Sequence, residues 1–324
     1  MIETHSEMLG VAFSFMENAL MKKFNLATVM IVAGFGFVFF VAIILIAALA
    51  LSRDGGFGGW GGDRIAVVYL EGVIFDSKTV NENLKLYADD SRVKAILLRM
   101  DTPGGGVAAS QEIADQVKWL RTEKGKTVVI SMGSVGASGG YYVACAADKI
   151  YANPGTITGS IGVIAEWVNY GNLLKWAQMQ PEVIKSGEFK DVGSPTREVT
   201  PKEREYLQGL INQMFEQFVG AVADGRKETG LTREQIKQLA DGRVYTGEQA
   251  LREKLIDGLG NYDAVLKATA EMVGIKGEPQ VVTPPKPRRG SILDLLTSTD
   301  VGEMISHNTL QPPGSTLQFE YLWK

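Results

Sequence analysis

Ser138 is the residue best placed for covalent chemistry. It stands in the segment GASGG, residues 136–140, directly after the apolar run TVVISM. This segment satisfies the pattern G-x-S-x-G, in which a tight turn between a strand and a helix exposes the serine. Free amides at the start of such a helix can stabilise an oxyanion. The motif therefore predicts a nucleophilic serine, and the alternative is a serine that only caps a helix.

A serine nucleophile needs a base, and the histidine count limits the choice. The chain has two histidines, His5 and His307, which lie near opposite ends of the sequence, and a single cysteine. A Ser-His-Asp triad or a Cys-His pair is therefore disfavoured. The remaining base is a lysine whose pKa burial has lowered. Lys185 and Lys190 stand in the segment VIKSGEFKD. Residue chemistry alone does not choose between them, and the alternative for either is a solvated surface lysine.

A second glycine-rich segment, DTPGGG at residues 101–106, follows an apolar run and precedes a helical pattern. Three glycines let the backbone approach a ligand closely and present its N–H groups. The segment lacks the spacing of a dinucleotide-binding loop and the lysine of a phosphate-binding loop. It predicts either a backbone binding site or an ordinary strand–helix turn.

The elements that must position these residues are short buried strands alternating with helices. Four apolar, β-branched runs predict strands at residues 65–70, 95–100, 127–132 and 149–152. A helical pattern between the second and third runs indicates parallel strands with crossover helices, hence an α/β domain. The second half is predicted to be mostly helical. Three capping boxes mark helix starts there, at Thr200, Thr232 and Thr246.

Five blocks in this order and spacing resemble signal peptide peptidase A: DTPGGG, GSVGASGGYYVA, ANPGTITGSIGVI, KSGEFKDVGSPTR and ADGRVYTGEQAL. The resemblance is to the short, single-copy, membrane-anchored form of that family, and it covers residues 64–275. It implies a fold similar to the Clp protease/crotonase superfamily, a spiral of ββα units. It also implies a Ser–Lys catalytic dyad.

The resemblance assigns roles to five residues. Ser138 falls on the family's nucleophile and Lys190 on its general base. Ser160 matches the serine that orients the lysine, and Gly105 and Gly139 match the backbone oxyanion donors. The family implies apolar peptide substrates, chiefly signal peptides, and ring-like homo-oligomers with grooves shared between neighbours. No metal or organic cofactor is suggested.

A long apolar segment indicates contact with membrane lipid. The 324-residue chain has 22% charged residues, a net charge of −4 and a mean hydropathy of +0.01, which excludes a nucleic-acid binder driven by global positive charge. Residues 24–51 carry no charge and are long enough to span a bilayer. Lys22 and Lys23 precede them, so the positive-inside bias places the N-terminus in the cytoplasm and the rest of the chain outside. The alternative is a signal peptide cleaved after Ala50.

The predicted layout has five parts: a cytoplasmic segment (1–23), a transmembrane anchor (24–51), a glycine-rich tether (52–63), a peptidase domain (64–278) and a proline-rich linker with a C-terminal tail (279–324). The tail ends in LQFEYLWK, whose apolar residues alternate as in a half-buried strand. With nothing local to pack on, this tip is predicted either to bind a neighbouring subunit or to fray.

Together these features predict a membrane-anchored serine endopeptidase that cleaves remnant signal peptides. Its catalytic domain is expected on the periplasmic or extracellular side of the cell membrane. A second hypothesis is a general membrane quality-control peptidase without a preference for signal peptides. A third is a crotonase-like scaffold without catalytic activity, or an acyl-CoA binder.

Overall fold

The computed structural model describes residue 30 and residues 34–44, 62–285 and 318–323. The chain divides into two compact units, Met1–Gly61 and Gly62–Lys324. In the first unit, residues 34–44 are helical. Within the described ranges, no helix reaches the length and hydropathy that a membrane span requires. Most of the predicted anchor, the N-terminal segment, the cleavage site at Ala50 and nearly all of the tether lie outside the described residues.

The second unit is built on a mostly parallel sheet. Its central strands follow the order β10-β1-β2-β4-β5-β9, with all of these neighbours parallel, and β6 and β8 extend the sheet beyond β4. The strands in the described part of the chain are β1 (Arg64–Glu71), β2 (Val93–Thr102), β3 (Gly104–Gly106), β4 (Thr127–Ala137), β5 (Lys149–Ala152), β6 (Ile157–Gly159), β7 (Ile164–Glu166), β8 (Val244–Thr246), β9 (Gly258–Leu259), β10 (Gln280–Val282) and β11 (Gln318–Leu322). The four predicted strands and their parallel arrangement are confirmed. The chain therefore has the predicted α/β class.

Helices cover the sheet and form most of the second half. The α-helices of this unit are α1 (Lys78–Lys85), α2 (Val107–Thr122), α3 (Gly139–Ala144), α4 (Gly171–Trp176), α5 (Pro201–Gly225), α6 (Arg233–Leu239), α7 (Gly247–Arg252) and α8 (Tyr262–Met272). Short 3₁₀ helices stand at Glu188–Asp191 and Lys227–Thr229. The capping boxes predicted at Thr200, Thr232 and Thr246 are all formed, and they begin α5, α6 and α7. Each satisfies otherwise unpaired amides, which explains why these helices begin where the sequence indicated.

The central strands are buried on both faces, as their continuous apolar sequence predicted. Ile96 and Leu98 of β2 pack into the larger hydrophobic cluster, and Leu97 packs into the smaller one on the opposite face. All three are fully buried. Burial of one such side chain contributes about 1.5–3 kcal/mol, so the sheet is a firm base for the loops at its carboxyl edge.

A second, antiparallel sheet has the strand order β3-β11-β7, and its middle strand comes from the C-terminal tail. On the sequence alone, everything after residue 278 is predicted to lie outside the domain. In the structure, β10 pairs with β1, and β11 pairs with both β3 and β7. The tip is therefore neither frayed nor in need of a neighbouring subunit. The physical reason is that β3 and β7 each offer unpaired N–H and C=O groups, which an extended segment satisfies.

Candidate active site

Ser138 lies at the turn between β4 and α3. Its φ is +53° and its ψ is −116°, a conformation that side chains rarely adopt and that costs on the order of 1–3 kcal/mol. The side chain precedes α3 but makes no capping hydrogen bond to it. Helix capping therefore does not explain why a serine stands at this position. The strained strand–turn–helix geometry is that of a nucleophile elbow.

Two backbone hydrogen bonds hold this turn. The Ser138 amide donates to the Gly159 carbonyl over 2.8 Å, which continues the pairing of β4 with β6. The Ser138 carbonyl accepts from the Tyr142 amide, also over 2.8 Å, and so opens α3. The serine is only 1% exposed. Its position is thus set by the sheet on one side and the helix on the other.

Ser160 stands one residue beyond the end of β6, the strand that pairs with the end of β4. It also has a positive φ, +50°, and its amide donates to the Arg243 carbonyl over 2.9 Å. Ser138 and Ser160 line one cavity of about 440 Å³. The remaining wall is largely apolar and includes Ile164, Ile211, Phe215, Leu322 and Trp323. The structure thus brings the two predicted serines into one cavity with an apolar lining.

The two predicted oxyanion donors, Gly105 and Gly139, lie side by side. A Cβ on Gly139 would stand 3.2 Å from the Gly105 nitrogen and would overlap Ser110 Oγ. A Cβ on Gly105 would overlap the backbone of Ile74, which bonds to the amide of Gly106 and the carbonyl of Gly104. Both positions therefore require glycine because other atoms approach the backbone closely. The two glycines that the prediction needs are thus close to each other, and Gly139 directly follows Ser138 in the chain.

Lys190 does not lie in this cavity. It sits in the 3₁₀ helix Glu188–Asp191, and its backbone amide donates to the Gly187 carbonyl over 3.2 Å. Its side chain is exposed and makes no hydrogen bond or ion pair with any residue that the structure describes. The side chain of Lys185, the other lysine that the sequence offered as a base, does form hydrogen bonds. Its Nζ donates to Asp191 Oδ1 over 2.6 Å and to the Glu188 carbonyl over 3.0 Å. The Lys185 amine is thus paired with a carboxylate, whereas the Lys190 amine has no such partner among the described residues.

An ion-pair network anchors the segment that carries Lys190 to the start of α5. The Arg197 guanidinium contacts Asp191 over 2.9 Å and forms a two-pronged contact with the carboxylate of Glu203. Hydrogen bonds from Arg197, chiefly, lower the pKa of Glu203 from 4.5 to about 2. Arg197 and then Lys185 likewise hold the pKa of Asp191 well below its usual range. Glu203 also completes the capping box with Thr200. One carboxylate therefore belongs both to the helix cap and to the ion-pair network.

Replacement of Glu203 by glutamine is expected to lower the free energy of unfolding at pH 7 by roughly 2 kcal/mol, since a charge-assisted bond to Arg197 is lost. The depressed pKa of Glu203 means that its ionised form stabilises the fold above pH 4.5. That stability is lost as the pH falls through the folded-state pKa of about 2. Urea unfolding between pH 7 and pH 3 should therefore show a steeper acid loss for the wild type than for Glu203→Gln.

The matched control is Glu216→Gln on the same helix. Glu216 also faces two cations, Arg233 and Lys237, but this group of charges is about half exposed. Its loss is expected to change the unfolding free energy at pH 7 by less than about 1 kcal/mol. Equal acid slopes for the wild type and Glu203→Gln would contradict the assigned role of Glu203.

The described residues can also be compared with the requirements of a metal site and of a cysteine nucleophile. No group of three or more histidine, cysteine, aspartate or glutamate side chains there is arranged to hold a metal ion. Cys145 is buried, and burial raises the pKa of its thiol to about 12. That thiol is not a nucleophile near neutral pH.

Sequence reasoning missed three residues that shape the site. Ile74 holds β3 through two backbone bonds, Ser110 packs against Gly139, and Tyr321 reaches the site from β11. The alternating apolar residues of the tail did indicate a strand. Its partners could not be read from the sequence because more than two hundred residues separate β11 from β3.

Comparison with known proteins places this chain among peptidases. The model of Peptidase family S49 matches residues 121–276. The slr0021 protein of Synechocystis sp., which carries a protease name, is 42% identical over 229 residues, covering 69% of this chain and 80% of that protein. A protein of Enterococcus faecium named for signal peptide peptidase SppA is 37% identical over 177 residues, covering 55% of this chain and 50% of its own. Among solved structures, the 1510-N membrane-bound stomatin-specific protease matches with a TM-score of 0.45 and 18% identity, covering 70% of this chain and all of that one.

Proposed function

We propose that this chain, which belongs to peptidase family S49 with the SppA peptidases, is a serine endopeptidase that uses Ser138 as nucleophile and Lys190 as general base. One observation carries the proposal. A buried serine in a strained turn shares a cavity with Ser160, and the amides of Gly105 and Gly139 adjoin it. Backbone strain at a buried side chain that faces a cavity is typical of functional sites.

The proposed reaction uses these residues as follows. The uncharged amine of Lys190 takes the proton of Ser138 Oγ, which attacks the carbonyl carbon of a peptide bond. The amides of Gly105 and Gly139 donate to the oxyanion, and loss of one such donor would cost on the order of 3 kcal/mol of barrier. The lysine then protonates the leaving amine. Water hydrolyses the resulting ester, with the lysine again as base.

We propose further that Lys190 completes its dyad across an interface between two copies of the chain. In its own chain Lys190 is exposed and lies outside the cavity that holds Ser138. Large apolar side chains that precede it in the sequence are also exposed: Trp176, Val183 and Ile184. An exposed patch of this kind favours association, and burial of the amine there would favour its uncharged form. In a homo-oligomer, a neighbouring chain would cover this apolar patch and would bring Lys190 to the cavity that holds Ser138.

The proposed substrates are apolar peptides, chiefly signal peptides left in the membrane. The apolar cavity lining supports this choice. So does the uncharged segment 24–51, which would hold the catalytic unit close to the outer face of the bilayer. We place the N-terminus in the cytoplasm and the catalytic unit on the periplasmic or extracellular side.

The test is hydrolysis by the full chain solubilised in detergent. A peptide ester with an apolar acyl side should be cleaved, and a fluorophosphonate should label Ser138. Product profiles from signal peptides and from other membrane-derived peptides of equal length then separate a signal-peptide enzyme from a general quality-control peptidase. Absence of both labelling and hydrolysis in the oligomeric protein would favour the non-catalytic scaffold.

A further inference from the structure

The cavity that holds Ser138 and Ser160 contains a carboxylate, that of Asp241. Among the residues that the structure describes, Asp241 is the only ionisable side chain in the cavity lining. The other lining residues are apolar residues, glycines, serines and one asparagine. Asp241 also reaches solvent, so it stands where the cavity opens. A charge at this place bears on the proposed reaction, because the base must be uncharged when it takes the serine proton.

The turn that carries Asp241, residues 240–243, is packed on the segment that carries Ser160. The Ser160 amide donates to the Arg243 carbonyl over 2.9 Å, and β8, which begins at the next residue, pairs with β6. A Cβ on Gly162 would stand 3.5 Å from the Gly242 Cα. Gly242 itself has a φ of +87°, which favours glycine there. Asp241 therefore holds a fixed place relative to the predicted catalytic serines.

Arg243 pairs with the Asp241 carboxylate on this turn. Its Nε donates to both carboxylate oxygens over 2.8 Å, and its Nη2 also donates to Oδ2. In the described ranges, the Arg243 side chain bonds to no other residue, and it is 65% exposed. Hydrogen bonds from this side chain, first of all, hold the pKa of Asp241 below its ordinary value. The pair therefore consists of an ionised carboxylate and the cation that offsets it.

The other carboxylates near the path of Lys190 lie outside the cavity. Glu188 and Asp191, on its own 3₁₀ helix, each form ion pairs with cations of the same chain. Glu166, at the end of β7, is not part of the cavity lining. A lysine that enters the cavity therefore meets Asp241. In a cavity of about 440 Å³, charges lie within the roughly 10 Å over which salt does not fully screen them.

We propose that Arg243 keeps the lysine base uncharged by neutralising Asp241, so that this pair sets the pH range in which the enzyme works. The proposal rests on the peptidase function above, with Lys190 as the base. An unpaired carboxylate beside an amine favours the ammonium form, which cannot accept a proton. A carboxylate held by an arginine fork leaves the amine to the apolar lining, and that lining favours the neutral form. Arg243 is thus a positioning residue that acts through Asp241.

The test is the pH dependence of kcat/KM for peptide ester hydrolysis by the full chain in detergent. The neutral lysine is the active form, so the rate rises with pH through the lysine pKa of the free enzyme. Arg243→Gln leaves the carboxylate unpaired and should raise this apparent pKa by about one unit, with a rate about tenfold lower on the acid side. Asp241→Asn leaves the cation alone and should lower it by about half a unit, since the guanidinium is mostly exposed.

The double variant separates a charge effect from a structural one. Asp241→Asn combined with Arg243→Gln restores the net charge of the turn, so its apparent pKa should return close to the wild-type value. A pair that only stabilised the turn would lower the rate at every pH and leave the pKa in place. The pH dependence of Ser138 labelling by a fluorophosphonate should show the same shifts without any peptide substrate.

The matched control is Arg92→Gln. Arg92 bonds to Asp90 in the same way, with the amide donating over 2.9 Å and Nε over 3.3 Å, and neither residue lines the cavity. This variant should keep the wild-type pKa. Thermal unfolding of every variant, measured in parallel, should change little, because exposed pairs of this kind contribute little to stability.

The outcomes separate this inference from the peptidase function. An unchanged apparent pKa in Arg243→Gln overturns the inference, while ester hydrolysis by the wild type still supports the peptidase. Shifts of the same sign in both single variants overturn it too, since opposite charges must act oppositely. So does an unchanged pKa with a lower KM for an ester that carries lysine beside the cleaved bond, because the pair then recognises substrate. If the wild type neither hydrolyses ester nor reacts with a fluorophosphonate, both proposals fail together.

Discussion

Alanine in place of Ser138 is expected to reduce kcat/KM for peptide ester hydrolysis by at least about a thousandfold, because the nucleophile is removed while the rest of the cavity remains. The variant keeps a Cβ, so the backbone strain at φ +53° is unchanged and the fold should be preserved. Initial rates, with thermal unfolding measured in parallel, provide the check.

Ser134→Ala is the matched control for Ser138→Ala. Ser134 lies four residues earlier, on β4, but its side chain is exposed and does not line the cavity. This change should leave the rate within about twofold, as surface substitutions away from special features usually do. A Ser138→Ala variant that retained wild-type activity would rule out Ser138 as the nucleophile.

Loss of the Lys190 amine is expected to have an effect of similar size. Lys190→Ala should lower kcat/KM by at least about a thousandfold, since a serine hydroxyl without a base is a poor nucleophile. Lys185→Ala is the matched control. It breaks the ion pair with Asp191 near the segment that carries Lys190 but removes no proposed catalytic group, so about a tenfold loss or less is expected.

Mixing the two inactive variants tests whether the dyad forms between copies. If Ser138 of one chain uses Lys190 of the next, then co-assembly of Ser138→Ala with Lys190→Ala in equal amounts should restore about a quarter of wild-type activity, because one site in four regains both residues. A dyad within each chain would give no recovery. If confirmed mixed oligomers recovered almost no activity, the intermolecular arrangement would be contradicted. The conclusions from the single variants would be unaffected.

The two lysines show where sequence reasoning met its limit. Both stand in VIKSGEFKD, and residue chemistry offered no choice between them until the family resemblance favoured Lys190. In the structure Lys185 is bound to Asp191 and Lys190 is not. That difference depends on how the segment before the 3₁₀ helix Glu188–Asp191 folds onto that helix, which no single-residue property encodes.

Features governed by local rules were determined by the sequence itself. The G-x-S-x-G turn at Ser138, the buried strands and the capping boxes at Thr200, Thr232 and Thr246 all depend on residues within a few positions of one another, and the structure contains each of them. Backbone sterics, alternation of buried side chains and side-chain-to-amide bonds act over that range.

Only the tertiary structure decided where the tail goes. The alternation in LQFEYLWK indicated a strand, but strands pair with whatever edge the fold leaves open. Here the open edges are β3 and β7, and the buried face of β11 finds Tyr142 on one helix and Phe218 on another. Such partners come from distant parts of the chain. The free energy that selects them is the sum of backbone pairing and aromatic burial, and it exists only once the domain has folded.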